Sequence, residues 1–207
     1  MSLAQTLYRP QLHARDVLMG RDPEILEDIT KPGIAASIWT RTCSRDFQSW
    51  IDGLPMEQLP ELRTVVPVHL GEAAAIAACE QAQLPPSPER DMLTGDVGAL
   101  ALILSKALDV RQVRIRLDVS DEVMCPKFHV DNVPARLLCT YRGAGTEYVL
   151  AGKEDDTRHI SQVKRGAVGL FRGGAWPGEE QTGLFHRSPD PAAGGGARLL
   201  LVIDPVV

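Results

Sequence analysis

The feature that most restricts the fold of this chain is a change of texture after Asp109. Residues 110–119, Val-Arg-Gln-Val-Arg-Ile-Arg-Leu-Asp-Val, alternate apolar and polar side chains. A period of two puts every second side chain on the same face of a strand, so this run reads as a half-buried strand with one wet face. Short strand candidates follow at 128–130, 135–141, 147–150, 167–171 and 198–203. Turn signals separate them at Gly143-Ala144-Gly145, at Glu154-Asp155-Asp156, at Gly173-Gly174 and across 189–196. Gly143-Ala144-Gly145 precedes a strand and therefore reads as a hairpin turn rather than a phosphate loop. Several short strands at such spacing predict a sandwich or a barrel.

The first half reads differently. Residues 1–33 are broken by Pro10, Pro23, Pro32 and Gly33, and predict an irregular extension with one short helix at 23–29, capped by Asp22. Residues 34–39 predict a strand. Ser44 can cap a helix to about Asp52, with Phe47, Trp50 and Ile51 on its core face. Residues 62–70 are rich in β-branched side chains, but Pro67 confines them to an edge strand or an irregular segment. Residues 72–83 and 91–108 predict two helices joined by the loop Leu84-Pro85-Pro86-Ser87-Pro88. Leu93, Val97, Leu100, Ala101, Leu104 and Leu108 keep the helical spacing on the second. The expected organisation is an irregular extension over 1–33 and one α+β domain over 34–207. Helical support over 34–109 would back a β core over 110–207.

Composition removes several function classes. A net charge of −5 without a long basic run argues against nucleic acid as the main partner. No stretch approaches the ~18 consecutive apolar residues of a membrane helix, and residues 1–20 hold no apolar core of a secretory signal. Cys43, Cys79, Cys125 and Cys139 are dispersed without a Cys-x-x-Cys pair. They read as reduced thiols of a cytoplasmic protein. There is no Gly-x-x-x-x-Gly-Lys-[Ser/Thr] and no Gly-x-Ser-x-Gly.

The residues that carry chemistry lie in the second half. His129 and Asp131 stand two apart at the end of a strand candidate, so an imidazole and a carboxylate can converge on one point. His186 is the candidate third ligand, 55 residues beyond Asp131, on a strand that would close over the pair. Two imidazoles and one carboxylate on one face suit Fe(II) with positions left open for a 2-oxo acid and dioxygen. The far carboxylate of such an acid needs a fixed cation, and Arg198, heading the next strand, offers a planar fork. That strand is expected beside the His186 segment, with Tyr141 as an additional hydroxyl donor. Cys125, four residues before His129, is an alternative ligand in a tetrahedral Zn(II) site, and Cys139 could join it if its face allows. Arg114 and Arg116 share one face of their strand, either as a solvated surface or near an anionic co-substrate.

The segment 125–147, Cys-Pro-Lys-Phe-His-Val-Asp-Asn-Val-Pro-Ala-Arg-Leu-Leu-Cys-Thr-Tyr-Arg-Gly-Ala-Gly-Thr-Glu, and the later Phe185-His186-Arg187-Ser188-Pro189 resemble a bacterial group catalogued as domain of unknown function 1826. The resemblance extends from about Ile34 onward. It implies a link to zinc limitation, since members are often encoded beside zinc-responsive metallochaperone-type GTPases. Separately, His129-Val130-Asp131-Asn132, the strand from Arg136 to Tyr141, and His186 with Arg198 are similar to the prolyl-hydroxylase-like branch of the 2-oxoglutarate oxygenases. That similarity implies iron on His129, Asp131 and His186 and the co-substrate on Arg198. The Arg187-Ser188-Pro189 run and the Gly-rich loop before Arg198 depart from that pattern. The combined expectation is an α+β protein with a double-stranded β-helix, a jelly-roll or cupin-like barrel. It would act as an Fe(II)- and 2-oxoglutarate-dependent oxygenase. A zinc-binding accessory protein of metal homeostasis and a metal-free partner-binding barrel are the alternatives.

Overall fold

The structure is a computed structural model that describes residues 12–189 and 196–206. It begins with two short strands, β1 (His13–Ala14) and β2 (Asp16–Gly20), a 3-10 helix (Pro23–Thr30) and β3 (Ile34–Trp39). Helix α1 (Arg45–Gly53), β4 (Leu62–Pro67), α2 (Gly71–Gln81) and α3 (Pro88–Leu108) follow. Apart from a short 3-10 helix at Thr157–His159, the remaining elements are strands: β5 (Gln112–Ser120), β6 (Ala135–Arg142), β7 (Glu147–Leu150), β8 (Ser161–Gln162), β9 (Val168–Arg172), β10 (Gln181–Thr182), β11 (Leu184–Arg187) and β12 (Arg198–Val206).

The helices start and stop where local chemistry dictates. The Ser44 hydroxyl accepts the N–H of Phe47 at the head of α1. Ser87 does the same for Arg90 at the head of α3, with Pro88 just inside, where a missing N–H costs nothing. Asp109 ends α3 in the left-handed conformation, and its N–H closes on Ser105 O. Leu93, Val97, Leu100, Ala101 and Leu104 of α3 are fully buried. At about 1.5–3 kcal/mol per large buried side chain, this face alone secures the helix to the sheet.

Seven strands form the main sheet in the order β2-β3-β9-β6-β12-β5-β4, antiparallel except for the β2/β3 pair. Three more form a small sheet, β11-β7-β8. The two faces of the main sheet serve different layers. Ile115, Leu117, Leu137, Tyr141, Leu201 and Ile203 pack against the helices. Leu138, Phe171 and Val202 point the other way and pack on Tyr148 and Leu184 of the small sheet. The site lies between these two sheets.

Three expectations are corrected. Residues 12–33 are not an irregular extension: β1 pairs with β10, β2 borders the main sheet, and Leu26 and Ile29 of the 3-10 helix are fully buried. Residues 1–11 lie outside the described residues. Nor does Asp109 divide helices from sheet, because β2, β3 and β4 of the first half build three of the seven main strands. Finally, among the described residues no hydrogen-bonded ladder joins the two sheets into a closed barrel. The architecture is an α+β fold of two facing sheets backed by helices on one side. Pro67 does sit at the end of an edge strand, where its missing N–H interrupts nothing.

Candidate metal centre

His129 and His186 are held opposite one another by backbone hydrogen bonds. Each donates its N–H to the other's carbonyl at 3.0 Å, which adds residue 129 to the edge of the small sheet beside β11. The expected strand at 128–130 is thus reduced to a single bridge. Directly opposite positions of an antiparallel pair share a face, and the two imidazole rings lie 4.7 Å apart between centroids. His129 Nδ1 sits 2.9 Å from Lys127 O. A carbonyl can only accept, so this contact places the proton on Nδ1 and leaves the Nε2 lone pair free to bind a metal.

Asp131 is carried by the turn between this bridge and β6. Gly173, Gly174 and Ala175 donate backbone N–H groups to Pro134 O, Asp131 O and Val133 O at 2.9, 2.8 and 3.1 Å, which clamps the turn. The approach is so close that a Cβ at position 173 would stand 1.9 Å from Val133 O, so only glycine fits. Ligand atoms of His129, Asp131 and His186 all lie within 4.8 Å of one another.

The two carboxylate oxygens of Asp131 have different surroundings. Oδ1 accepts from Arg136 Nη1. Oδ2 is buried and makes no hydrogen bond of ordinary geometry, although His186 Nε2 is only 2.9 Å away. Burial pushes the Asp131 carboxyl up, but the neighbouring His186, Arg136 and His129 outweigh it and hold the group below its usual range. The acid is therefore ionised at neutral pH, with Oδ1 taken by Arg136 and Oδ2 facing the His186 imidazole. This donor set fits a divalent cation. Arg136 is fixed in turn by Asp204 of β12, whose Oδ1 and Oδ2 accept from Nε and Nη2 at 2.7 and 2.8 Å.

Arg198 faces the same cavity, a hollow of about 110 Å3 also lined by Leu138, Leu200 and Val202. Its guanidinium donates to Ala144 O at 3.0 Å, Thr146 Oγ1 at 3.1 Å and Thr140 Oγ1 at 3.3 Å. The Gly143–Gly145 turn curls around it, and a Cβ at Gly143, which sits at φ +83°, would stand 3.2 Å from the Arg198 Cα. Among the described residues no carboxylate pairs with Arg198. Burial lowers its pKa to about 10, and the charge of Asp118 offsets this only in part. A buried cation held by neutral acceptors has the chemistry to take an anionic ligand.

Other expectations fare differently. The Arg198 strand does not run beside the His186 segment: β12 pairs with β5 and β6, so Arg198 and His186 come from opposite sheets. Tyr141 does not assist Arg198. It projects to the helix side of β6, stacks edge-on with Phe47 and donates to Asp96 Oδ2 at 2.6 Å. Thr140, one residue earlier and on the opposite face, makes the contact with Arg198 instead. Cys125 lines the cavity, but its thiol is not among the clustered ligand atoms. Cys139 shares the Tyr141 face, away from the cavity, where burial raises its thiol to about 12, and its Sγ is not among the clustered ligand atoms, so it does not complete a zinc site there. Arg136, Asp204, Thr140 and Thr146 were missed as site residues. Strand parity was the available signal, since 136, 138 and 140 must share the face that 137, 139 and 141 do not.

The fold resembles that of 2-oxoglutarate-dependent dioxygenases, and the clustered histidines and aspartate add a candidate facial triad. The dioxygenase for auxin oxidation 1 from Arabidopsis thaliana, in binary complex with 2-oxoglutarate, aligns at a TM-score of 0.56 over 92% of this chain and 91% of that one, with 9% identity. A second structure of the same plant enzyme gives 0.51 over 93% and 94%, with 10% identity. A prolyl-4-hydroxylase from Pseudomonas putida reaches 0.44 over 88% and 92%, with 13% identity, too low to add to the argument. By sequence, the chain belongs to the family described as protein of unknown function DUF1826, whose model matches residues 20–204. No curated protein matches it.

Proposed function

We propose that this protein is an Fe(II)- and 2-oxoglutarate-dependent oxygenase. The observation that carries the reading is one cavity with two opposed poles. His129, Asp131 and His186 form one, with a buried unpartnered Asp131 oxygen; Arg198, a buried cation without an acid, forms the other. Two imidazoles and a carboxylate, with no thiolate in the cluster, favour iron over a closed zinc site. Bound Fe(II) with 2-oxoglutarate would supply oxidation of a C–H bond by dioxygen, coupled to decarboxylation of the 2-oxo acid.

The chain's own residues do the rest. The Lys127 carbonyl fixes the His129 tautomer so that Nε2 faces the site. Arg136 occupies Asp131 Oδ1 and thereby presents Oδ2 to a metal. Arg198 binds and orients the far carboxylate of the 2-oxo acid, supported by Thr140, Thr146 and Ala144 O. Leu138, Leu200 and Val202 line the space between and exclude water from it.

The test is uncoupled turnover of the purified chain with Fe(II), ascorbate and 2-oxoglutarate. Succinate should form, and its formation should fail in His186→Ala and Arg198→Met. No succinate from the parent protein that carries one metal per chain would refute the proposal.

A further inference from the structure

The cavity-side face of the main sheet carries a second hollow of about 400 Å3, beside the metal cavity and sharing Arg116 and Arg136 with it. The sheet register builds it. Arg63 of β4 is directly opposite Arg116 of β5, which is opposite Val202 of β12. Val65 is opposite Arg114, which is opposite Asp204. Opposed residues project to one face, so Arg63, Arg114 and Arg116 stand together on the face that holds Arg136 and the metal cavity.

Like charges directly opposite one another destabilise a sheet unless something compensates. The compensation is incomplete. Asp118 is shared at long range, 3.7 Å from Arg63 and 3.3 Å from Arg116. Arg116 Nε is buried and has no hydrogen-bond partner. Arg114 makes no ion pair among the described residues, and Asp204 is already engaged with Arg136 on both oxygens. Four guanidiniums thus meet three carboxylates, Asp118, Asp204 and Asp131 of the metal cluster, in a protein whose overall charge is −5. The excess positive charge is local, and it is adjacent to the proposed reaction centre.

We infer that this groove binds an oxyanion, and that the substrate is a small organic anion. The carboxylate or phosphate would lie on Arg63, Arg114 and Arg116 while the rest of the molecule reaches the metal cavity. The groove itself follows from the register and the charges; that its ligand is a substrate rests on the oxygenase reading above. A guanidinium fork serves a carboxylate and a phosphate equally, so the chemistry common to both is assigned.

The experiment is calorimetric titration of the full chain loaded with Zn(II), using phenylacetate, phenyl phosphate and the neutral phenylacetamide. At least one anion should bind about tenfold or more tightly than the amide, and added salt should weaken it. Which anion binds better tells a carboxylate substrate from a phosphate one. The double variant R63Q/R114Q should lose about tenfold in anion affinity, and R63K/R114K should keep most of it, which a merely structural role would not produce. Equal affinity for the amide, or an anion affinity that R63Q/R114Q leaves unchanged, overturns the inference. Zn(II) uptake is read separately. A protein that takes up no metal yet binds anions through these arginines would sink the oxygenase reading and leave the groove standing.

Discussion

Arg198→Met separates a residue kept for the fold from one kept for a ligand. Arg198 is 8% exposed, and its pKa falls from the ordinary 12.5 to about 10, mainly through burial. At about 1.4 kcal/mol per pKa unit, the charged side chain costs the ligand-free fold on the order of 3 kcal/mol. Methionine retains much of the stem volume and removes that penalty. It also strips the donor from Ala144 O, Thr140 Oγ1 and Thr146 Oγ1, at about 1 kcal/mol for each acceptor left unpaired. The two effects nearly cancel, so the ligand-free variant should unfold within ~1 kcal/mol of the parent. The difference appears with 2-oxoglutarate. A ligand at about a hundred times its Kd stabilises by about 2.7 kcal/mol, which raises Tm by several degrees for a chain of this size. The assay is urea and thermal unfolding of the Zn(II)-loaded proteins with and without 2-oxoglutarate. The parent should show the shift and Arg198→Met should not. A ligand-free loss above ~3 kcal/mol in the variant, or an undiminished shift, would refute the reasoning.

Three further outcomes follow from the same geometry. Arg136→Met leaves Asp204, 1% exposed, as a buried charge without a partner, and should cost about 3–5 kcal/mol in denaturant unfolding, unlike Arg198→Met. Gly173→Ala drives a Cβ into Val133 O, so it should destabilise by at least ~2 kcal/mol and weaken Co(II) binding about tenfold through displacement of the Asp131 turn, read from the visible spectrum. Asp131 has a folded-state pKa below its ordinary 3.8, so its contribution to stability is full above that value and lost as pH falls through the lower one. Acid titration of the metal-free protein should show that loss below about pH 4, and Asp131→Asn should flatten it.

The helices were legible because their signals are local. Ser44, Ser87 and Pro88 mark starts within a few residues, and the spacing of Leu93, Val97, Leu100 and Leu104 marks a core face without knowledge of what covers it. The alternation of β5 was legible for the same reason. Pairing was not. β2 and β3 read as an extension and an isolated strand, yet β2 is the edge of the main sheet and β3 lies inside it, because β3 pairs with β9, more than a hundred positions away, and carries β2 with it. The brief β8 and β10 carry too few residues to show any period.

The site divides along the same line. By itself the sequence named His129, Asp131, His186 and Arg198, because ligand chemistry is a property of side-chain type and the strand spacing of two brings an imidazole and a carboxylate to one side. Only the tertiary structure decided which face of β6 looks into the cavity, and so replaced Tyr141 with Thr140 and revealed Arg136. It also placed Arg198 and His186 on opposite sheets and gathered Arg63, Arg114 and Arg116 into one groove. Parity along a strand can be read from one chain segment. Which face is inside depends on the second sheet that packs against it, and no local pattern contains that information.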